Sequence, residues 1–357
     1  MGLAVNVCGL NLRNPVIAGA GPLGRSAASM MRAVEGGAAA VVTQTLRVQP
    51  KQHPRGFLAR VRDSLLSADV WLEASPEAWV RKELGKAKNS GVPVIASVGG
   101  EEREVPEIAE AAVRAGAVAV EISARHSGTD PRKLAEIVSS VKRSVDVPVF
   151  VKVCLPDPVG MARAVKSSGA DGIVCMDAVG PALGVDAETA MPLLGTAGGE
   201  GRLSGPAVKP LALYWVAKVA RTVALPVIGS GGISSGKDAI EFIQAGASAV
   251  QVCTAAVLRG PKVFGLIADE ILAFMRARGY GSVEDIRGQL LRRLPESPLP
   301  SKHPEVIASK CNSCGVCEQQ CPTSAIRLSG TGIKIDGARC DGCGLCLTVC
   351  PARAIRW

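Results

Sequence analysis

The sequence predicts an α/β chain: a (β/α)8 TIM barrel followed by a small, cysteine-rich α+β domain. Apolar runs rich in Val, Ile and Ala alternate with amphipathic stretches of helical period. The alternation makes eight strand–helix units in about 265 residues, the count of a closed barrel. The composition then changes abruptly at a proline-rich stretch, 295–304, beyond which most of the cysteines lie. A doubly wound parallel sheet is the rival arrangement, because periodicity does not show closure.

In chain order, residues 1–14 read as a hairpin ahead of the first core strand. Strands are expected at 15–20, 38–45, 92–98, 117–123, 147–153, 171–176, 225–230 and 247–253. Helices are expected at 26–35, 76–89, 105–115, 131–144, 158–168, 206–222, 236–245 and 261–278. Several strands open after Gly-Ala or an X-Pro pair, as at Gly37-Ala38, Val92-Pro93, Gly169-Ala170 and Gly246-Ala247, where a helix stops and a buried parallel strand begins. The domains are therefore a barrel over 1–294, a linker over 295–309 and a small domain over 310–357.

Composition narrows the function. With 47% apolar residues in 357 the chain has ample core, and no apolar run is long enough to span a bilayer. The formal charge is +9, but aromatics are only 3% and no basic cluster is interleaved with them, which argues against a nucleic-acid partner. The basic excess suits docking of an acidic electron carrier, and equally a solvated surface.

The cysteines give the sharpest signal. Cys311, Cys314, Cys317 and Cys321-Pro322, then Cys340, Cys343, Cys346 and Cys350-Pro351, repeat the C-x2-C-x2-C-x3-C-P spacing of a bacterial two-cluster ferredoxin. In that arrangement three thiolates of one run and the last of the other hold each 4Fe–4S cube. One cluster is expected on Cys311, Cys314, Cys317 and Cys350, the other on Cys340, Cys343, Cys346 and Cys321. Two such clusters add about −4, leaving roughly +5. Zinc sites would leave the third cysteine and the proline of each run unexplained. A secreted disulfide framework is not expected without a leading signal segment, and oxidation-prone cubes point to a reducing, cytoplasmic setting.

Clusters move single electrons, so the barrel should hold a cofactor that also handles pairs, which points to a flavin. Phosphates in such barrels sit in the loops after strands seven and eight. Here these are Gly229-Ser230-Gly231-Gly232-Ile233 and Cys253-Thr254-Ala255-Ala256, offering backbone N–H groups and the Thr254 hydroxyl; tight turns without a ligand are the plainer alternative. Gly19-Ala20-Gly21-Pro22-Leu23-Gly24 has the dinucleotide-binding form, but the acidic residue expected about 20 positions on is missing, so it reads as a small-residue loop close to a flavin ring.

Asn14-Pro15-Val-Ile-Ala-Gly-Ala-Gly21, Val149-Phe-Val-Lys152, Leu203-Ser-Gly205-Pro-Ala-Val-Lys209-Pro210, Ile228-Gly-Ser-Gly-Gly-Ile233 and Gln251-Val-Cys-Thr254-Ala255 resemble the FMN-binding segments of class 1 dihydroorotate dehydrogenases. With the two-cluster domain, the chain resembles more closely the C-terminal half of dihydropyrimidine dehydrogenase and the matching subunit of its bacterial two-subunit form. The resemblance implies an FMN barrel fed by 4Fe–4S clusters that reduces or forms an activated C=C bond. It implies Ala20, Gly21, Gln44, Thr45 and Ser123 near the isoalloxazine and Lys152 at its ring edge or ribityl chain. Ser204, Gly205, Gly231, Gly232, Thr254 and Ala255 would hold the phosphate. A cation at the N1–O2 edge would stabilise the reduced anionic ring.

After strand four the pyrimidine enzymes carry Asn-Leu-Ser-Cys-Pro-Asn or a close variant, whereas this chain reads Ser123-Ala124-Arg125-His126-Ser127-Gly128. Gln44 replaces the flavin-side lysine, and no asparagine-bearing substrate loop occurs at 60–75. Loss of those polar partners argues for a substrate other than dihydropyrimidine or orotate. His126, at a strand's C-terminal end, is the expected proton-transfer residue, although a histidine there also caps loops. With Arg125 beside it and Arg47, Lys51, His53 and Arg55 after strand two, the mouth favours an anionic small molecule, or these are solvated charges. The glycine-rich stretch 177–203 reads as a lid or a flexible loop, and Cys8, Cys154, Cys175 and Cys253 as small buried hydrophobes. Expected partners are the substrate, a ferredoxin or a flavoprotein electron-transfer subunit, and further copies of the chain in a homo-oligomer. Authentic dihydropyrimidine or dihydroorotate dehydrogenase, and a relay subunit without its own substrate, are the alternatives.

Overall fold

A computed structural model describes residues 2–48, 56–68, 75–297, 302–330 and 332–357. The chain divides into two compact units, residues 1–293 and 294–357.

In the first unit eight parallel strands close into a barrel: Val16–Ala18, Ala40–Val42, Val94–Val98, Ala119–Ser123, Val149–Val153, Gly172–Cys175, Val227–Ser230 and Ala249–Val252. Each lies inside a stretch that periodicity assigns to a strand. Val252 pairs with Ala18 to close the ring, which rules out the open doubly wound sheet. Nearly every strand residue is buried, since the barrel interior covers one face and helices the other.

The helices start where the sequence supplies caps. Ser26 accepts from the Ser29 amide ahead of Ala27–Glu35, and Ser235 with Asp238 forms a capping box ahead of Gly236–Gln244. Asp130 and Asp157 cap Pro131–Ser144 and Pro158–Ser167, each with proline in the first turn, where its missing N–H costs nothing.

Three features lie outside the eight-fold pattern. The hairpin Val5–Val7 with Leu10–Leu12 precedes the barrel, as expected. A four-stranded antiparallel sheet, in the order Val179–Ala182, Gly201–Ser204, Ser64–Ser67 and Leu58–Val61, joins two loops more than 100 residues apart, with Leu203 opposite Leu66 and Ser204 opposite Leu65. The stretch 177–203 is thus largely structured: both its ends pair in this sheet, and Val185–Asp186 pairs with Met191–Pro192 between them. Its glycines mask a pairing partner far away in sequence.

The second unit repeats one motif. Val316–Gln319 and Leu345–Val349 are short helices, each preceded by a left-handed glycine, Gly315 and Gly344. Cys317, Cys346, Ile326 and Ile355 form its small core. Glu305–Val306 pairs with Ile355–Arg356, so part of the stretch read as linker is built into this unit. Among the described residues no helix is long and apolar enough to cross a membrane.

Candidate active site and cysteine cluster

Barrel strands deliver their last residues to the C-terminal rim, and there the side chains surround a cavity of about 250 Å³. Ala20, Gly21, Gln44, Thr45, Ser123, Arg125, His126 and Lys152 line it, with Ser204, Gly205, Gly231, Gly232 and Thr254. Of the catalytic and cofactor-binding residues expected in the site, Ala255 is absent from its lining; it is buried one position further along the helix Thr254–Arg259. Arg47 belongs to the described residues and acts electrostatically on His126, whereas Lys51, His53 and Arg55 lie outside them.

One end of the cavity is a cradle of glycines and hydroxyls. Gly231 and Gly232 have φ of 109° and 83°, and a Cβ on Gly232 would stand 2.8 Å from the Gly205 carbonyl oxygen and 2.7 Å from the Lys209 Cβ. Such a backbone excludes side chains and leaves amides open to a ligand. Across the cradle the Thr254 hydroxyl donates to Ser204 Oγ over 2.8 Å. Lys209 is drawn to Asp238 and Glu241, away from the cradle, so it ties helices together.

Deeper in the barrel, Lys152 Nζ lies 2.8 Å from Glu121 Oε1, with 7% and 1% of the side chains exposed. Gln251 Nε2 donates to Glu121 Oε2 over 2.6 Å, while its own Oε1 is buried without a hydrogen-bond partner. Thr45 Oγ1 and Ser97 Oγ lie 3.0 Å apart on the neighbouring wall.

The opposite wall carries the charged cluster. Arg125 Nε donates to Asp177 Oδ2 over 3.1 Å, and the Ala178 amide donates to Asp177 Oδ1 over 2.7 Å. Burial alone would lift the Asp177 carboxyl, but Arg125, Lys152 and His126 hold it well below the usual carboxylate range. Burial pushes His126 well below the usual histidine value, and Arg125, Arg47 and Arg202 depress it further against the opposing pull of Asp177. His126 is therefore neutral at neutral pH. A Cβ on Gly99 would come 2.6 Å from His126 Cβ, so only glycine lets the imidazole stand so close to strand three.

Of the four cysteines expected as buried hydrophobes, Cys154 and Cys175 are buried, whereas Cys8 and Cys253 are partly exposed and Cys8 donates to the Asp171 carbonyl. Burial pushes the Cys154 and Cys253 thiols up to about 11 and raises Cys175 as well, so none is a ready nucleophile. Cys253 nevertheless lines the cavity.

Glu121, Asp177, Gln251 and Ser97 line the cavity without having been singled out from sequence. Glu121 had a legible signal, a carboxylate inside an otherwise apolar strand two positions before Ser123. Gln251 had the same signal, a polar residue inside the apolar strand Ala249–Val252, whereas Asp177 had none beyond closeness to a strand end.

In the second unit, Cys321, Cys340, Cys343 and Cys346 line one cavity, although Cys321 belongs to the other motif. Cys317 is electrostatically coupled to Cys350 and Cys314, again across the motifs. Cys321 Sγ accepts from the Ala325 amide and Cys350 Sγ from the Ala354 amide, each over 3.3 Å. Among the described residues no group of three or more His, Cys, Asp or Glu side chains is arranged to hold a single metal ion.

The barrel cavity fits FMN on two observations of its own: a glycine-and-hydroxyl cradle for a phosphate, and the orphaned buried acceptor of Gln251 in its lining. Comparison agrees. Residues 2–275 match the family described as dihydroorotate dehydrogenase, and residues 310–354 match the 4Fe-4S dicluster domain. The dihydroorotate dehydrogenase B (NAD(+)) catalytic subunit of Methanothermobacter thermautotrophicus is 37% identical over 299 residues, covering 80% of this chain and 97% of that one. The corresponding subunit of Methanocella arvoryzae is 38% identical over 268 residues, covering 71% and 87%. A crystal structure of the dihydroorotate dehydrogenase of Eimeria tenella, in complex with ferulenol, shares the fold at a TM-score of 0.70 and 22% identity, covering 81% of this chain and 89% of that one. The chain belongs to the dihydroorotate dehydrogenase family, as an FMN flavoprotein that acts on CH–CH bonds and bears a C-terminal 4Fe-4S ferredoxin domain.

Proposed function

We propose that this chain oxidises or reduces the CH–CH bond of a small carboxylate-bearing substrate, with His126 exchanging the proton and two 4Fe–4S clusters passing the electrons. The observation that carries the reading is the His126–Arg125–Asp177 cluster on the cavity wall, with Arg47 and Arg202 acting on the same imidazole. A neutral imidazole is ready to accept the proton released when a saturated CH–CH bond is oxidised. Arginines around it favour an anionic group on the substrate, and Asp177 fixes the Arg125 guanidinium so that it does not move with the load.

Bound FMN would supply acceptance of electrons in pairs and their release one at a time. Gly205, Gly231, Gly232, Ser204 and Thr254 would hold its phosphate, and Lys152 would face the ring edge. Cys311, Cys314, Cys317 and Cys350 would hold one cluster, and Cys340, Cys343, Cys346 and Cys321 the other. Electrons would leave to, or arrive from, a ferredoxin or a flavoprotein partner subunit; the relatives named as catalytic subunits support a partner of that kind.

Dihydroorotate is the first substrate to test, because the relatives carry its name and it is itself a carboxylate with an activated CH–CH bond. The missing asparagines favour another carboxylate instead, and a relay role without a substrate would leave His126 unexplained. The test is anaerobic titration of the purified protein, with flavin and iron quantified, against dihydroorotate, orotate, uracil, enoyl acids and enoyl thioesters. About one FMN and eight irons per chain, with flavin reduced or reoxidised by one carboxylate, supports the proposal. Reaction only with uncharged uracil would overturn the anionic substrate, and no reaction with any would leave the relay role.

A further inference from the structure

Glu121 is a charge that the proposed proton and anion chemistry does not use. It stands in strand four with 1% of its side chain exposed, and its two oxygens are held from two directions. Lys152 on strand five lies 2.8 Å from Oε1, and Gln251, reaching across the barrel from strand eight, donates to Oε2 over 2.6 Å. All three line the FMN cavity. A buried ion pair is weak evidence for stability, since well-packed apolar residues of similar volume often serve the fold as well. A charge network spanning three strands at the floor of a cofactor cavity calls for another explanation.

The field of Lys152 reaches into that cavity, because its ammonium lowers the titration of both Asp177 and Cys253. An anion 2.8 Å from Nζ opposes that field at any group bound there. We propose that Glu121, held by Gln251, is a positioning residue that fixes Lys152 and offsets its charge, and so sets the midpoint potential of the bound FMN. This rests on Lys152 facing the flavin. Gln251 has a second part in it: it lines the cavity, and its buried Oε1 has no partner there, an acceptor suited to an N–H of a bound ring.

The test is spectroelectrochemical titration of the holoprotein at fixed pH, with FMN content measured for each variant. Lys152→Met should move the FMN potential negative, and Glu121→Gln, which keeps shape and removes charge, should move it positive. A Lys152→Met potential equal to that of the parent protein would sink the flavin-facing role of Lys152 itself. A shift in Lys152→Met with none in Glu121→Gln at full FMN content would overturn the role of Glu121 alone. If Glu121→Gln loses FMN, Glu121→Asp, which withdraws the charge by one methylene, should give a smaller positive displacement; loss of FMN there too, or no displacement, would make Glu121 purely structural.

Discussion

Arg125 and Asp177 come from different barrel strand ends, 52 residues apart, and meet with Nε donating to Oδ2 over 3.1 Å beside His126. The pair holds a guanidinium in place on a half-buried wall without leaving either charge unmatched. It also sets the environment in which His126 handles a proton, and two predictions follow from the two sides of that arrangement.

His126→Ala should stop turnover and nothing else. Removing a positioned general base or acid costs roughly 10²–10⁴ in rate. FMN and iron content should stay at parent values, because the imidazole belongs neither to the glycine cradle nor to the cysteine motifs. Stopped-flow flavin reduction by the substrate found in the titration is the measurement. A variant that reduces its flavin at the parent rate would return His126 to loop capping.

The pH profile should depend on Asp177. The neutral imidazole is the proton acceptor, so the rate of CH–CH oxidation is retained above the folded value of His126 and lost as pH falls through it. That folded value is depressed, by burial first and then by the arginines, so the acidic limb of kcat/KM should lie below the ordinary histidine range. Asp177 is the group that pulls the imidazole back up. Asp177→Asn should therefore move the acidic limb to still lower pH, and a limb moving upward would contradict this electrostatic account.

Much of the barrel was legible because each strand–helix unit repeats a local rule: an apolar run, a cap, an amphipathic helix. Ser26, Asp130, Asp157 and Ser235 cap helices in the structure, at or one residue before the starts that periodicity predicts. What was not legible depends on distant pairing. The sheet over the cavity joins Ser64–Ser67 to Gly201–Ser204, and no local pattern in either loop announces the other. The same holds in the site. His126, Lys152 and Gln251 stand out as polar residues in or at the ends of apolar strands, but Asp177 gains meaning only from Arg125, and the pairing of Gln251 with Glu121 only from closure of the barrel.

Gly232→Ala tests the cradle. The residue has φ of 83°, and its new Cβ would meet the Gly205 carbonyl oxygen at 2.8 Å. The strain, about 1–3 kcal/mol, falls on the two loops that would face a phosphate. FMN retention through gel filtration should drop sharply while both helices and clusters persist. Full FMN content in this variant would move the phosphate elsewhere.

The pairing of cysteines across the two motifs can be read from iron content. Cys321 shares a cavity with Cys340, Cys343 and Cys346, and Cys317 is coupled to Cys350. If each set holds one cube, Cys321→Ser costs one cluster and leaves about four of eight irons. Adding Cys340→Ser then costs no more, because both residues serve the same cube. Adding Cys314→Ser to Cys321→Ser removes the remaining iron, because they serve different cubes. Were each motif to hold its own cluster, the outcomes would be exchanged: Cys321→Ser with Cys314→Ser would keep about four irons, and with Cys340→Ser would lose them all. Iron quantitation on anaerobically prepared variants separates the two arrangements without needing a substrate.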